Sequence, residues 1–308
     1  MRIVNIGSLN LDYVYRVDTF PQPGETKSSR NLSINAGGKG LNQSIALAKA
    51  GCTVCHAGIY GAGGEMLVKT LQDSGVDTGL MQYRPDLQNG HAIIEVADSG
   101  QNSILLYGGT NQALTEDLIR QILDGCTPDS MILLQNETNF VGEIIEAASA
   151  RHIPVAMNAS PMRPDALCYD YGKLRWIVVN EIEAAALAGG RDFPEIMDRL
   201  SRKFPNSGIL MTLGSQGAWL RDGAVDLRIG ALQVENVVDT TAAGDTFLGY
   251  FLAGITSGTD PETVLQQATC ASALAIQKPG AAQSIPDKAA LLAFWETHRH
   301  LLPCSRPV

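Results

Sequence analysis

The segment Asp239-Thr240-Thr241-Ala242-Ala243-Gly244-Asp245-Thr246-Phe247 sets a carboxylate directly after three small residues and ahead of an apolar stretch. Small side chains at 242–244 let a backbone approach a ligand closely. The apolar stretch reads as a helix, and the first N–H groups of a helix, lacking partners within it, form an anion site. A carboxylate beside a bound anion repels it. Its place here makes chemical sense if Asp245 must take a proton from a hydroxyl attacking a phosphoryl group. The plainer reading is that Asp245 caps the helix and that Ala242, Ala243 and Gly244 are its turn.

A second segment, Asn35-Ala36-Gly37-Gly38-Lys39-Gly40-Leu41-Asn42-Gln43, places glycines around a lysine just before a helical pattern. Such a loop offers its backbone to a polar ligand. It is not a P-loop, because Gly40 follows the lysine where Ser or Thr is needed and Ser33 stands where the first glycine belongs. Neither His-Arg-Asp nor Asp-Phe-Gly occurs, which removes the protein-kinase pattern. Taken alone, the loop is also compatible with simple turn geometry.

These residues need elements to hold them. Short β-branched runs at 3–7, 53–59, 131–135, 155–158, 176–180 and 209–213 predict strands, and patterns at 42–50, 65–74, 143–151, 181–188 and 194–204 predict helices. Their alternation argues for βαβ units and a parallel sheet covered on both faces. Residues 12–36 and 89–107 break the pattern and read as a small antiparallel sheet attached to the main layer. The stretch from Phe247 to Ala275 is rich in Ala and Leu and reads as packed helices. No repeat or low-complexity linker divides the chain, so residues 1–308 are expected to form one α/β domain.

With 45% hydrophobic residues, the chain can bury a substantial core. A formal charge of -9, with no Lys/Arg cluster longer than two, argues against nucleic acid or an anionic membrane as partner. No apolar run approaches the roughly 20 residues of a membrane span, and the N-terminus lacks a signal peptide, so a cytoplasmic location is expected. There the six cysteines read as free thiols. Cys52-Thr53-Val54-Cys55-His56 matches a haem-attachment spacing but reads better as a buried strand after Gly51.

Together the two chemical segments resemble the N-terminal and C-terminal signatures of the ribokinase-like (PfkB-type) carbohydrate kinases. The likeness extends over nearly the whole chain. It includes Gly7-Ser8-Leu9-Asn10-Leu11-Asp12, Asn180-Glu181-Ile182-Glu183 and Thr212-Leu213-Gly214-Ser215-Gln216-Gly217, and is strongest to the ribose-phosphorylating branch. The resemblance implies a Rossmann-like three-layer α/β/α sandwich with a β-sheet lid, formed here by about 12–36 and 89–107, through which two copies form a homodimer. It implies transfer of the γ-phosphoryl group of ATP to a primary hydroxyl of a small sugar, D-ribose giving ribose 5-phosphate. Asp245 would be the base, with the backbone of Ala242, Ala243 and Gly244 as anion hole. The sugar would be held by Asn10, Asp12, Gly38, Lys39, Asn42, Glu137 and Asp245, and ATP by Asn180, Thr212, Gly214, Ser215, Gly217 and Gly244. Asn180 and Glu183 would hold Mg²⁺ through water, and Asp239, Thr241, Ala275, Lys278, Gly280 and Ser284 a monovalent cation, K⁺.

The chain departs from the family pattern at Gly61-Ala62-Gly63-Gly64-Glu65, where an Asp is usual, and is unusually polar at Asn136 and Thr138. His91 either faces the sugar or stands in solvent. These points keep open a same-family kinase for another sugar or a nucleoside. A sugar sensor without turnover would show a damaged base. A nicotinamide dehydrogenase would need Gly-x-Gly-x-x-Gly after the first strand, where Gly7 is followed by Ser8, Leu9 and Asn10.

Overall fold

The computed structural model describes residues 1–305. The chain runs β1 (Arg2–Ile6), β2 (Asn10–Val17), β3 (Asn31–Gly37), α1 (Lys39–Lys49), β4 (Thr53–Tyr60), α2 (Glu65–Asp73), β5 (Asp77–Tyr83), β6 (Gly90–Ala97), β7 (Asn102–Tyr107) and α3 (Glu116–Asp124). It continues β8 (Ser130–Gln135), α4 (Val141–Ala150), β9 (Val155–Asn158), β10 (Trp176–Asn180), α5 (Glu181–Ala188), α6 (Phe193–Lys203) and β11 (Gly208–Thr212). The last third holds β12 (Ala218–Asp222), β13 (Val225–Ile229), α7 (Ala243–Thr256), α8 (Pro261–Ala275) and α9 (Lys288–His298).

Nine strands form one sheet in the order β13-β12-β11-β10-β9-β8-β1-β4-β5, parallel except for the hairpin of β12 and β13 on one edge. Strands of such a sheet are buried on both faces, which is why β8 reads Ser-Met-Ile-Leu-Leu-Gln with every residue buried. Alternate side chains feed two cores. Ile3, Val54, Met131 and Leu133 meet α1, α7 and α8 on one face. Val4, Ile6, Ile132 and Leu134 meet α3, α4 and α6 on the other. The result is the expected α/β/α sandwich.

The second sheet has the order β3-β2-β6-β7 and comes from the two stretches singled out in the sequence. It is antiparallel at β2–β3 and β6–β7, but its central pair, β2 and β6, runs parallel. A parallel pair needs a long crossover, and the chain makes it through α1, β4, α2 and β5 before returning. The register pairs Asp12 with Asn35 and Ala92, and Leu11 with Ala36 and His91. Asp12 and His91 therefore project from opposite faces.

Glycine is required where α1 meets β1. A Cβ on Gly40 would overlap the backbone of Gly7 and Ser8, so only a bare Cα allows this approach. Among the described residues no helix is long and apolar enough to cross a membrane. All six cysteines are free, and Cys55 and His56 lie in buried β4, as the strand reading requires.

Candidate active site

The loops that follow the parallel strands, together with the starts of α1, α5 and α7, converge at one edge of the sandwich. Ligands of open α/β sheets bind at such an edge. Asp245 lies in the first turn of α7 and is buried. Its Oδ2 accepts from Asn42 Nδ2 at 3.1 Å and its Oδ1 from Gln43 Nε2 at 2.8 Å, so both amides of α1 are turned onto the carboxylate. Asp245 does not serve as the cap of its own helix. That position is Ala242, held at φ 60°, a left-handed conformation unfavourable for a residue with a Cβ. The Ala243 N–H donates to the Thr240 carbonyl at 3.2 Å, so the expected three-residue set of backbone donors is not uniformly free. Gly244 lines the cavity in front of the helix.

The surroundings of Asp245 hold three more carboxylates, Glu137, Asp12 and Glu183, and one ammonium, Lys39. Glu137, just beyond β8, accepts at Oε2 from the Ser8 hydroxyl and from the Lys39 N–H at 3.2 Å. Burial raises its carboxyl above the ordinary range, against the opposing pull of Lys39. Asp12, on β2, is pushed up to about 7 by burial and by the charge of Glu137. A side chain on Gly37 would overlap the Asp12 carboxylate, which is a structural reason for glycine there. Burial works against the Lys39 ammonium, but Asp245, Glu137 and Glu183 outweigh it and hold the group above its usual value. Asn10 is buried and its Oδ1 accepts from Asn111 Nδ2 at 2.8 Å. Gly38 has φ 96°, at the entry to α1. The structure thus brings Asn10, Asp12, Gly38, Lys39, Asn42, Glu137 and Asp245 into one neighbourhood.

Two cavities flank Asp245. The inner one, about 220 Å³, is lined by Lys39, Asn180, Glu183, Ala242, Gly244 and Asp245. The outer one, about 440 Å³, shares Asn180, Thr212, Ala243 and Gly244 with it and is walled by apolar residues such as Leu232 and Val237. Gly214, Ser215 and Gly217 also line the outer cavity. Asn180 and Glu183 form a reciprocal cap at the start of α5. Asn180 Oδ1 accepts from the Glu183 N–H at 3.0 Å, while Glu183 Oε2 accepts from the Asn180 N–H at 2.8 Å. The pair thus caps the helix expected at 181–188, while Glu183 is buried and borders the inner cavity.

Of the six residues assigned to a monovalent cation, Asp239 and Thr241 lie just before α7, Ala275 ends α8, and Lys278, Gly280 and Ser284 lie in the segment after it. Asp239 Oδ1 accepts from the Thr241 N–H at 2.9 Å, and its Oδ2 from the Gly280 N–H at 3.0 Å. Burial tends to raise this carboxyl, but the bonds from Thr241 and Gly280 hold it below the ordinary range. The Ala275 carbonyl accepts from the Lys278 N–H at 3.1 Å, and the Ser284 hydroxyl donates to the Ala281 carbonyl at 2.8 Å. The set is rich in oxygen, with one ionised carboxylate, which suits a hard monovalent ion.

Sequence reasoning missed Asn111, whose Oδ1 takes the Leu9 N–H at 2.9 Å and whose amide fixes Asn10. No local pattern marks it. It also gave Gln43 no role, although Gln43 stands in the quoted segment. The outer-cavity wall at 231–237 and 269–276 carries no motif. His91 packs against Tyr107, with ring centroids 5.0 Å apart, on the face away from Asp12.

The family model for pfkB family carbohydrate kinase matches residues 1–288. A ribokinase of Haemophilus influenzae is 32% identical over 302 residues, covering 94% of this chain and 97% of that one. The crystal structure of a Cryptococcus neoformans ribokinase in complex with ADP is 31% identical and superposes with a TM-score of 0.80, covering 95% of this chain and 99% of that one. An Arabidopsis thaliana ribokinase complexed with ribose and ATP is 27% identical, with a TM-score of 0.83 and coverage of 96% and 98%. With one family model spanning most of its length and a relative of 32% identity aligned nearly end to end, this chain belongs to the pfkB family of carbohydrate kinases, phosphotransferases that act on an alcohol group.

Proposed function

We propose that this kinase transfers the γ-phosphoryl group of ATP to the primary hydroxyl of D-ribose, giving ribose 5-phosphate and ADP. The observation that carries the reading is the placement of Asp245. It lies between a neighbourhood of carboxylates and amides suited to a polyol and a two-part cavity that begins at a helix start and ends in apolar walls. Asp12, Asn10, Asn42 and Glu137 accept from and donate to adjacent sugar hydroxyls, with the backbone of Gly38 and Lys39 beneath them. Asp245 takes the proton of the primary hydroxyl as its oxygen bonds to the γ-phosphorus, and the bond from that phosphorus to the β,γ-bridging oxygen breaks. Gly244, with its neighbours Ala242 and Ala243, faces the charge that develops on the transferring group. The base of ATP lies against the apolar wall, with Thr212, Gly214, Ser215 and Gly217 along its path.

Mg²⁺ would be held through water by Glu183 and Asn180, and when bound it neutralises phosphate charge. The buried Glu183 carboxylate at the inner cavity fits that role. Asp239, Thr241, Ala275, Lys278, Gly280 and Ser284 would hold K⁺ behind the helix start. The four-stranded sheet would act as a lid and as the interface of a homodimer. Leu105 is 68% exposed and Ile104, Leu106 and Tyr107 are exposed beside it, on a strand whose outer edge has no neighbour in the sheet. We place the enzyme in the cytoplasm, where ATP is available.

A second reading keeps the mechanism and changes the acceptor to another sugar or a nucleoside. The Gly61–Glu65 departure motivates it. The aromatic residues of the small sheet argue against a nucleoside, because Tyr13, His91 and Tyr107 share the face opposite Asp12 and offer no stacking surface to a base there. The test is ADP release with ATP, Mg²⁺ and K⁺ across pentoses, hexoses and nucleosides. Ribose should exceed the others in kcat/KM, and a higher value for any other acceptor overturns the ribose assignment.

A further inference from the structure

Behind Asp245 runs a line of polar side chains with no exposure to solvent: Gln43, Gln135, Asn5, Ser44 and His56. They come from α1, β8, β1 and β4, and the parallel register that pairs Asn5 with His56 and with Leu133 puts them on one face of the sheet. Gln43 Nε2 donates to Asp245 at 2.8 Å, and Gln43 Oε1 accepts from Gln135 Nε2 at 2.8 Å. The same Gln135 nitrogen donates to Asn5 Oδ1 at 2.9 Å. Asn5 Nδ2 then donates to the Gly40 carbonyl and to Ser44 Oγ, both at 2.8 Å, and Ser44 meets His56 Nδ1 at 2.8 Å.

The polarity of this line follows from its end. A backbone carbonyl only accepts, so the Gly40 carbonyl fixes the Asn5 amide with its nitrogen toward α1 and its oxygen toward Gln135. Gln135 must answer with N–H groups. Both go to neighbouring oxygens, leaving Gln135 Oε1 buried without a partner. Gln43 must then accept from Gln135 and turn its own nitrogen to Asp245. Burial holds His56 down at about 4, so the far end of the line carries no charge that reverses this order. Five buried polar side chains and an orphaned oxygen are costly where apolar residues would fill the same space. Packing alone gives no reason to keep them.

We propose that Gln43, Gln135 and Asn5 are positioning residues for phosphoryl transfer, a polarised relay of amides that presents an N–H donor to Asp245 and fixes the direction of its carboxylate. The proposal rests on the reading of Asp245 as the base. Gln135 lines neither cavity, and the shortest route from it to Asp245 is its bond to Gln43.

The experiment compares steady-state kinetics of Gln135→Met, Gln135→Glu, Asp245→Asn and the double variant Gln135→Met/Asp245→Asn, each checked for cooperative thermal unfolding. Gln135→Met should lower kcat about tenfold to a hundredfold, the range expected for a disturbed hydrogen bond to a charged group, with sugar KM changed less than about threefold. Gln135→Glu keeps the shape but favours accepting over donating, so it should lose at least as much kcat. It also serves if the Met variant does not fold. In the Asp245→Asn background, Gln135→Met should cost less than about a further twofold, because the group it positions is gone. A wild-type kcat in both Gln135 variants, beside a crippled Asp245→Asn, refutes the relay and leaves the base intact. Additive losses in the double variant refute it as well. An Asp245→Asn enzyme with more than about a tenth of wild-type turnover removes the base, and the relay with it.

Discussion

Asp12 should make the protein less stable as the pH rises, and Asp12→Asn should relieve that cost. The carboxyl is raised from 3.8 to about 7, first by burial and second by Glu137. A group that binds its proton more tightly in the folded chain than in the unfolded one imposes no penalty below the unfolded value. The penalty grows between the two values and is complete above the folded one. With about 1.4 kcal/mol per unit, the full cost above pH 7 is about 4 kcal/mol, an upper figure because water entry and relaxation reduce it. About 1.7 kcal/mol of it is already present near pH 5, so the advantage of Asp12→Asn over wild type should grow by about 2.5 kcal/mol from about pH 5 to about pH 8. Urea unfolding of both proteins without ligand, at several pH values in that window, measures the difference. Wild-type sugar affinity in the variant is not expected above about pH 7, where the amide replaces a carboxylate that only accepts. An advantage that does not change with pH, or a variant less stable than wild type near pH 8, refutes the reasoning. Asp12 would then not be a half-buried, unpaired carboxylate in solution.

Asp245→Asn should cut kcat by at least about a thousandfold while sugar affinity, read by calorimetry, changes little, because the lost role is felt in the transition state. Gly40→Ala should cost at least about 2 kcal/mol in chemical denaturation, since its Cβ would force α1 away from the Gly7–Ser8 backbone. Turnover should be higher in K⁺ than in Na⁺ or a bulky organic cation, and Asp239→Asn should abolish the difference; equal rates in all three ions remove the cation assignment. Leu105→Lys should convert a dimer to a monomer in sedimentation, given the apolar strand it interrupts, and a wild-type monomer at micromolar concentration would refute the lid interface.

What the sequence shows and what it hides divide by the range of the signal. β8, β9 and β10 are legible because burial on both faces writes them as unbroken apolar runs. Gly38, Lys39 and Asp245 are legible because each sits in a contiguous segment with a helix start. Helix α3 goes unread, although its cap Thr115 and its buried set Leu118, Ile119, Ile122 and Leu123 have helical spacing. β12 and β13 go unread because only one carries a buried apolar run and the other is half-buried on an edge. The relay is invisible for a different reason. Asn5, Gln43 and Gln135 are ordinary residues at distant positions, and only the pairing of β1 with β4 and β8 makes them neighbours. The parallel pairing of β2 with β6 is hidden in the same way, because direction depends on the crossover and not on the strands.

The charges around Asp245 also bear on how an acidic protein can turn over a polyanion. Asp245, Glu137 and Glu183 all act on Lys39, and they keep its ammonium charged against its burial. Before a nucleotide arrives, Lys39 is therefore the counterion of the site's own carboxylates. In the proposed reaction the triphosphate enters from the other side, at the start of α7 where backbone donors and Lys39 face the inner cavity. It is then balanced by groups that need no reorganisation. Transfer moves a phosphoryl group from that side to the sugar, nearer to Asp12 and Glu137, two carboxyls already raised by burial. A phosphate dianion formed near them is disfavoured by their ionised forms, that of Asp12 above about pH 7. If Asp12 and Glu137 hold the neutral sugar as proposed, their charge would weaken binding of its phosphorylated product, and the same arrangement would favour release.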